Sequence, residues 1–184
     1  MKLDVPYYSQ YLDINDPFWM LRACGAMCFK MVAEYNGKNI PDVVAFCNEA
    51  KEKGGYDMTN GWVHSYLVTK AQELGLQARR SEGLTSITNE ITESLDAGNP
   101  VIVSVEKRLL EQTRFHMIVI VGYEKEEDAL VGSVEPASGY SLVAKNYFYY
   151  HEPESTDRTR GAYRTCDVET FKNYWRGKAI FISK

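Results

Sequence analysis

The apolar pattern of this chain changes period partway along, and that change restricts the fold more than any other feature. Up to residue 95 most apolar side chains recur every three to four positions, the spacing of a buried helix face. From residue 101 they come in short β-branched runs, the habit of strands. Cys24, Met27, Cys28, Met31, Val32 and Tyr35 make the first helical stripe, with Cys24 at its start and Asn36-Gly37 as a left-handed stop. Pro41 suits the first turn of a second helix carrying Val43, Val44, Phe46, Cys47 and Ala50. Asn60 can cap a third that buries Trp62, Tyr66, Leu67, Ala71 and Leu74, and Thr85 or Ser86 a fourth with Ile87, Ile91 and Leu95. Residues 76–80, 101–105, 116–121, 129–134 and 179–183 read as extended, and Asp167 can cap a short helix bearing Phe171 and Trp175. Helices first and strands later predict an α+β architecture, N-terminal helices packed on a C-terminal antiparallel sheet, rather than an alternating parallel one.

The 184 residues suit a single domain over 1–184, with 45% hydrophobic residues to fill a core. The chain carries 21 basic against 25 acidic residues and no basic block, so it offers nothing to a phosphate backbone and nucleic acid is not an expected partner. No stretch approaches the roughly 18 apolar residues of a membrane span. The start, MKLDVPYYSQ, has no apolar leader core. A cytoplasmic protein is expected if the chain is complete, an exported one if a leader has been removed. Cys24, Cys28, Cys47 and Cys166 form no CxxC pair and no framework, which predicts reduced thiols, no structural metal and no cofactor.

The position of Cys24 has chemical consequences. A helix N-terminus favours an anion, so it lowers a thiol pKa and supplies the nucleophilic thiolate. The Cys24 amide can face an oxyanion, and Gly25 keeps the approach open. Cys28 lies one turn inside, on the core face, and Cys47 also reads as core. A base is required, and the chain has three histidines. His116 opens an apolar strand that would hold its ring rigidly, whereas His64 lies in a helix and His151 in a polar, loop-like segment. Glu135 follows the next expected strand, 129–134. Pairing of that strand with 116–121 would place its carboxylate where it can orient the imidazole. Gln10, upstream of the cysteine, can donate its side-chain amide to the oxyanion. The tyrosines at 147, 149 and 150 fit either a groove lining or an edge strand.

These residues, in this order, resemble the C39-like peptidase family, a papain-like group related to the bacteriocin-leader-processing domains of some exporters. The segments that carry the likeness are VPYYSQ with Gln10, ACGAM with Cys24, GNPVIVSV, FHMIVIVGY with His116, VEP with Glu135, and the tail FKNYWRGKAIFI. The resemblance implies a papain-like fold, Cys24 as nucleophile, His116 as base and Gln10 as oxyanion glutamine. The family commonly reads Cys-Gly-Pro where this chain has Cys24-Gly25-Ala26, and Asp-Pro where it has Glu135-Pro136. The function expected is a cysteine peptidase or amide hydrolase that acts on a peptide or protein through a Cys24 thioester. The alternatives are an acyl transferase using the same dyad and a peptide-binding domain without activity.

Overall fold

Local chemistry sets the boundaries of each element. In the computed structural model, which describes residues 1–83, 87–107, 114–125 and 146–184, helix α1 runs over Cys24–Tyr35 and stops where Gly37 takes φ +79°. Helix α2 (Val43–Glu52) starts two residues later than expected. The Asp42 carboxylate accepts from the Ala45 amide as the N-cap, which leaves Pro41 outside the helix rather than in its first turn.

The expected start of the third helix is also displaced. The Asp57 carboxylate accepts from the Thr59 and Asn60 amides, and Gly61 has φ +78°. This closes a small hairpin of β1 (Tyr56–Asp57) and β2 (Gly61–Trp62). Trp62 is therefore a strand residue, and α3 spans only His64–Glu73. Strand β3 (Gln77–Glu82) and helix α4 (Ile87–Asp96) follow as expected, while the expected caps Thr85 and Ser86 lie outside the described residues.

The remaining elements build the sheet: β4 (Val101–Glu106), β5 (Phe115–Lys125), β6 (Asn146–His151), the short helix α5 (Arg158–Gly161), β7 (Arg164–Asp167), α6 (Val168–Tyr174) and β8 (Trp175–Ser183). Asp167 caps α6 by accepting from the Thr170 amide at 2.8 Å. Six strands pair in the order β3-β8-β4-β5-β6-β7, every neighbour antiparallel. Residues 129–134 lie outside the described residues. The strand expected there as the partner of 116–121 is supplied instead by β6 on one edge and β4 on the other. Strand β6 is thus an interior strand, which removes the edge-strand reading of its tyrosines.

Side chains alternate across the pleat, so the sheet buries both faces. Ile102, Met117, Val119, Val121, Ile180 and Ile182 pack against α1 to α3, among Met27, Met31, Leu67 and Ala71. Val101, Val103, Ile118, Ile120, Ala179 and Phe181 pack on the opposite side against Ile91 and Leu95 of α4 and Phe171 of α6. Helix α1 lies against β5, and this contact brings its N-terminus to the strand end that carries His116. Among the described residues no helix is long and apolar enough to cross a membrane.

Candidate active site

The chain before α1 fixes where that helix begins. Asp16 Oδ1 accepts from the Phe18 and Trp19 amides and tightens a 3-10 turn over Trp19–Leu21, while the Trp19 indole donates to Asn48 Oδ1 at 2.8 Å. Ala23 occupies the N-cap position and offers no side-chain acceptor. The first-turn amides are therefore left to act on the Cys24 thiol beside them.

Gly25 permits a close approach at the same turn. A Cβ there would lie 2.4 Å from Cγ of Trp62, whose indole packs against the helix start and donates to the Arg22 carbonyl at 2.8 Å. Helix propensity alone would make Gly25→Ala stabilising by about 1 kcal/mol. The clash reverses the sign, and a loss of about 1–3 kcal/mol is expected, measured as a melting temperature lowered by several degrees. An unchanged or raised melting temperature would show that Trp62 does not depend on this glycine.

His116 is buried at the start of β5, and its Nε2 meets Glu152 Oε1 at 2.5 Å. Glu152 is itself buried just past the end of β6 and is held from several directions. Its Oε1 accepts from the Glu154 amide at 2.9 Å, its carbonyl accepts from the Tyr7 hydroxyl at 2.8 Å, and its amide donates to the Gly161 carbonyl at 2.8 Å. Pro153 stiffens the same loop, and its carbonyl accepts from the Gln10 amide. The N-terminal segment around Tyr7 to Gln10 thus braces the carboxylate that braces the imidazole.

With Nε2 engaged by Glu152, Nδ1 is the nitrogen left for the thiol. It has no other hydrogen-bond partner, and the Glu154 carboxylate stands 3.7 Å away. Burial works against charge on both Cys24 and His116, yet their mutual attraction prevails. Burial raises the Cys24 pKa, but hydrogen bonding and charge from His116 and the Met117 amide carry it below the ordinary thiol value. Burial likewise lowers the His116 pKa, but the Glu152 charge and the Cys24 contact lift it to about 9. The two shifts together favour a thiolate beside an imidazolium. By contrast, burial raises the pKa of Cys28 and takes that of Cys47 above the usual thiol range, as suits core thiols.

Cys24 and His116 open onto a cleft of about 830 Å³ between the α1 and hairpin side and the sheet end. Tyr56, Met58 and Trp62 line one side of it, and Ser104, Arg176 and Lys178 the other. A model of the Peptidase_C39 like family matches residues 2–179, nearly the whole chain. The chain belongs to that family.

Solved structures agree on the fold. A putative C39-like peptidase from Bacillus anthracis superposes with a TM-score of 0.66 at 19% identity, covering 100% of this chain and 98% of that one. A double glycine motif protease from an AMS/PCAT transporter, in complex with its leader peptide, gives 0.57 at 17% identity, covering 100% and 94%. The peptidase domain of Streptococcus ComA, a bi-functional ABC transporter involved in a quorum-sensing pathway, gives 0.56 at 21% identity, covering 89% and 92%. The papain-like fold expected from the sequence is the fold found. No protein of curated function matches this chain.

Within this C39-like site the residues singled out in the sequence fare differently. Cys24 and His116 are brought together. Gln10 is fully buried, its Nε2 donates to the Met20 carbonyl at 2.8 Å, its Oε1 has no partner, and it does not line the cleft. Glu135 lies outside the described residues, and the carboxylate on His116 is that of Glu152. His64 lines the cleft with Nε2 2.8 Å from the Ser104 hydroxyl, whereas His151 is structural, bonded to the Val5 carbonyl and the Tyr163 amide. The three tyrosines of β6 do not line the cleft.

Sequence reasoning missed Glu152 because the segment from residue 151 reads as polar loop. The available signal was a second Glu-Pro dipeptide, Glu152-Pro153, directly after the aromatic run that forms β6.

Proposed function

We propose that the protein is a thiol peptidase or amide hydrolase in which Cys24, His116 and Glu152 act as one unit. The observation that carries this reading is the buried imidazole with Glu152 on Nε2 and Nδ1 left for the Cys24 thiol. The Cys24 thiolate attacks the substrate carbonyl carbon, and the carbonyl π electrons move onto oxygen. The Cys24 amide at the start of α1 stabilises that oxyanion. The tetrahedral species collapses as His116 passes its proton from Nδ1 to the leaving amine, which leaves a Cys24 thioester. Neutral His116 then takes a proton from water, the hydroxide adds to the thioester, and the thiolate departs with the acid product. Glu152 fixes the ring through Nε2–H and balances its charge throughout.

Alkylation of Cys24 by iodoacetamide tests the pair directly. Labelling located by mass spectrometry should be rapid at pH 6–7, where an ordinary thiol is about 3% ionised or less, and His116→Ala should slow it roughly tenfold or more there. Labelling should fall only on the acid side, as the thiolate is protonated. Peptide hydrolysis should fall on that side and again above about pH 9, where His116 loses the proton that the leaving amine requires. The linkage has the matching sign. A histidine pKa raised from 6.5 adds stability below 6.5 that is lost as pH rises through about 9. Equal, slow labelling in both proteins would remove the activated thiol and leave the peptide-binding alternative.

A further inference from the structure

The cleft is basic in a chain that is acidic overall. Five of its lining residues, Arg22, Arg80, Arg114, Arg176 and Lys178, carry positive charge, against Glu82 and Glu154, while the whole chain has a formal charge of −4. Both acids are already committed. Glu154 binds Lys107 and Arg114, and Glu82 accepts from Arg80 at 2.8 Å. Arg176 and Lys178 have no ion-pair partner among the described residues.

An irregularity of the sheet puts these two cations where they are. Ser104 of β4 pairs with Lys178 of β8, but the next residue, Val105, pairs with Trp175, so Arg176 and Gly177 are looped out of the ladder. Gly177 takes φ +71° to allow it, and the Arg176 guanidinium lies over the Phe115 ring, 3.1 Å from its centroid. Bulges of this kind redirect side chains beside functional sites. Burial takes the His64 pKa down to about 4, with Lys178, Arg176 and Arg80 reinforcing the shift, so the ring beside Ser104 stays neutral and leaves the local charge positive.

We infer that Arg176 and Lys178, flanked by Arg80 and the His64–Ser104 pair, form a subsite that binds a carboxylate of the substrate. The Arg176 guanidinium reaches back over Phe115, next to His116, while Ser104 is in register with Met117 on one side and Lys178 on the other, so Lys178 marks the far end of the subsite, two strands from β5. At about 4.8 Å per strand that is roughly 10 Å, the length of about three residues of extended peptide. An acidic side chain within about three residues of the scissile bond, or a terminal carboxylate in that range, would lie between the two cations. The preferred substrate is an acidic peptide.

This inference rests on the proposed peptidase reading, and binding separates the two. The Cys24→Ser protein is incubated with an equimolar library of hexapeptides, N-acetylated and C-amidated, each position varied among Glu, Gln, Lys, Leu and Ala, and bound peptides are identified by mass spectrometry. Glu should be enriched over Gln at one fixed position by about tenfold. The enrichment should collapse at 0.5 M salt and in Cys24→Ser combined with Arg176→Gln and Lys178→Gln. A second library with free C-termini tells a side-chain carboxylate from a terminal one, since only the latter would be enriched without any internal Glu. Equal retention of Glu and Gln with no gain from a free terminus would overturn the subsite, as would enrichment that survives the Gln substitutions. Because Cys24→Ser performs no chemistry, slow alkylation of the native thiol would count against the peptidase reading and leave this result standing.

Discussion

Replacing Glu152 by alanine should lower kcat/KM for peptide hydrolysis on the order of 10³-fold, while Glu135→Gln should leave it within about twofold. The argument starts from the imidazole, which is buried and therefore resists protonation. The Glu152 charge is the chief influence holding the proton there against burial. Without it the His116 pKa falls from about 9 toward or below its ordinary 6.5, and the thiolate loses its counter-ion. The ring also loses its 2.5 Å partner at Nε2 and with it the fixed presentation of Nδ1 to Cys24.

Glu152→Gln separates the two contributions, because the amide oxygen still accepts from Nε2–H but carries no charge. We expect an intermediate loss of about tenfold to a hundredfold, with the alkaline limb of the pH profile moved down from about 9. The reverse result, a large loss for Glu135→Gln and none for either Glu152 variant, would return the orienting role to Glu135. Circular dichroism of each variant keeps the comparison to folded protein, since Glu152 also braces Tyr7 and Gly161 through its backbone, which the substitutions leave in place.

The sequence made the proposed nucleophile and base legible for local reasons. A helix stripe that begins at a cysteine and a strand that begins at a histidine are both visible as periodicity, and each position follows from its own segment. The carboxylate is set by pairing, which periodicity does not reveal. Two Glu-Pro dipeptides follow segments that read as extended in the sequence, and choosing between them requires knowing which segment lies beside β5. The sheet order answers that: β6 occupies that edge, so the chain leaving β6 brings Glu152 to His116.

The placement of Trp62 depends on pairing in the same way. Its spacing with Tyr66 and Leu67 fits a helix, but the Asp57 turn and the positive φ of Gly61 end the hairpin only at Trp62. The hairpin then sets the indole against Gly25 instead of along α3. The cation pair of the cleft was not visible either, because the looped-out Arg176 depends on how β8 meets β4.

Glu154→Ala should cost about 3–5 kcal/mol of folding stability, the largest loss expected for any one charge among the described residues. Lys107 at the end of β4 and Glu154 after β6 are both almost fully enclosed, their side chains 6% and 4% exposed, and they bind one another. Arg114 joins the same carboxylate at 2.6 Å from its exposed position. Removing the acid leaves an ammonium enclosed with no carboxylate on it, and the desolvation of that ion is then uncompensated. Burial and the Arg114 charge already hold Lys107 down, to about 8. The sign of the pH dependence follows: an ammonium whose folded pKa lies below its unfolded 10.5 destabilises the fold at and below neutrality, and the penalty shrinks as pH rises from about 8 toward 10.5. Losing the Glu154 carboxylate takes the Lys107 pKa lower still, so urea unfolding should show a Glu154→Ala deficit that is larger at pH 7 than at pH 10, where Lys107 is already neutral in the native fold. Lys107→Met combined with Glu154→Leu should recover most of the stability at pH 7, because an apolar pair of similar size needs no compensation. The Glu154 amide, which donates to Glu152 Oε1, survives in that double variant, so the orienting carboxylate keeps one of its supports. A Glu154→Ala deficit that is small, or that does not change between pH 7 and pH 10, would mean that Lys107 finds water or another partner when the carboxylate is gone.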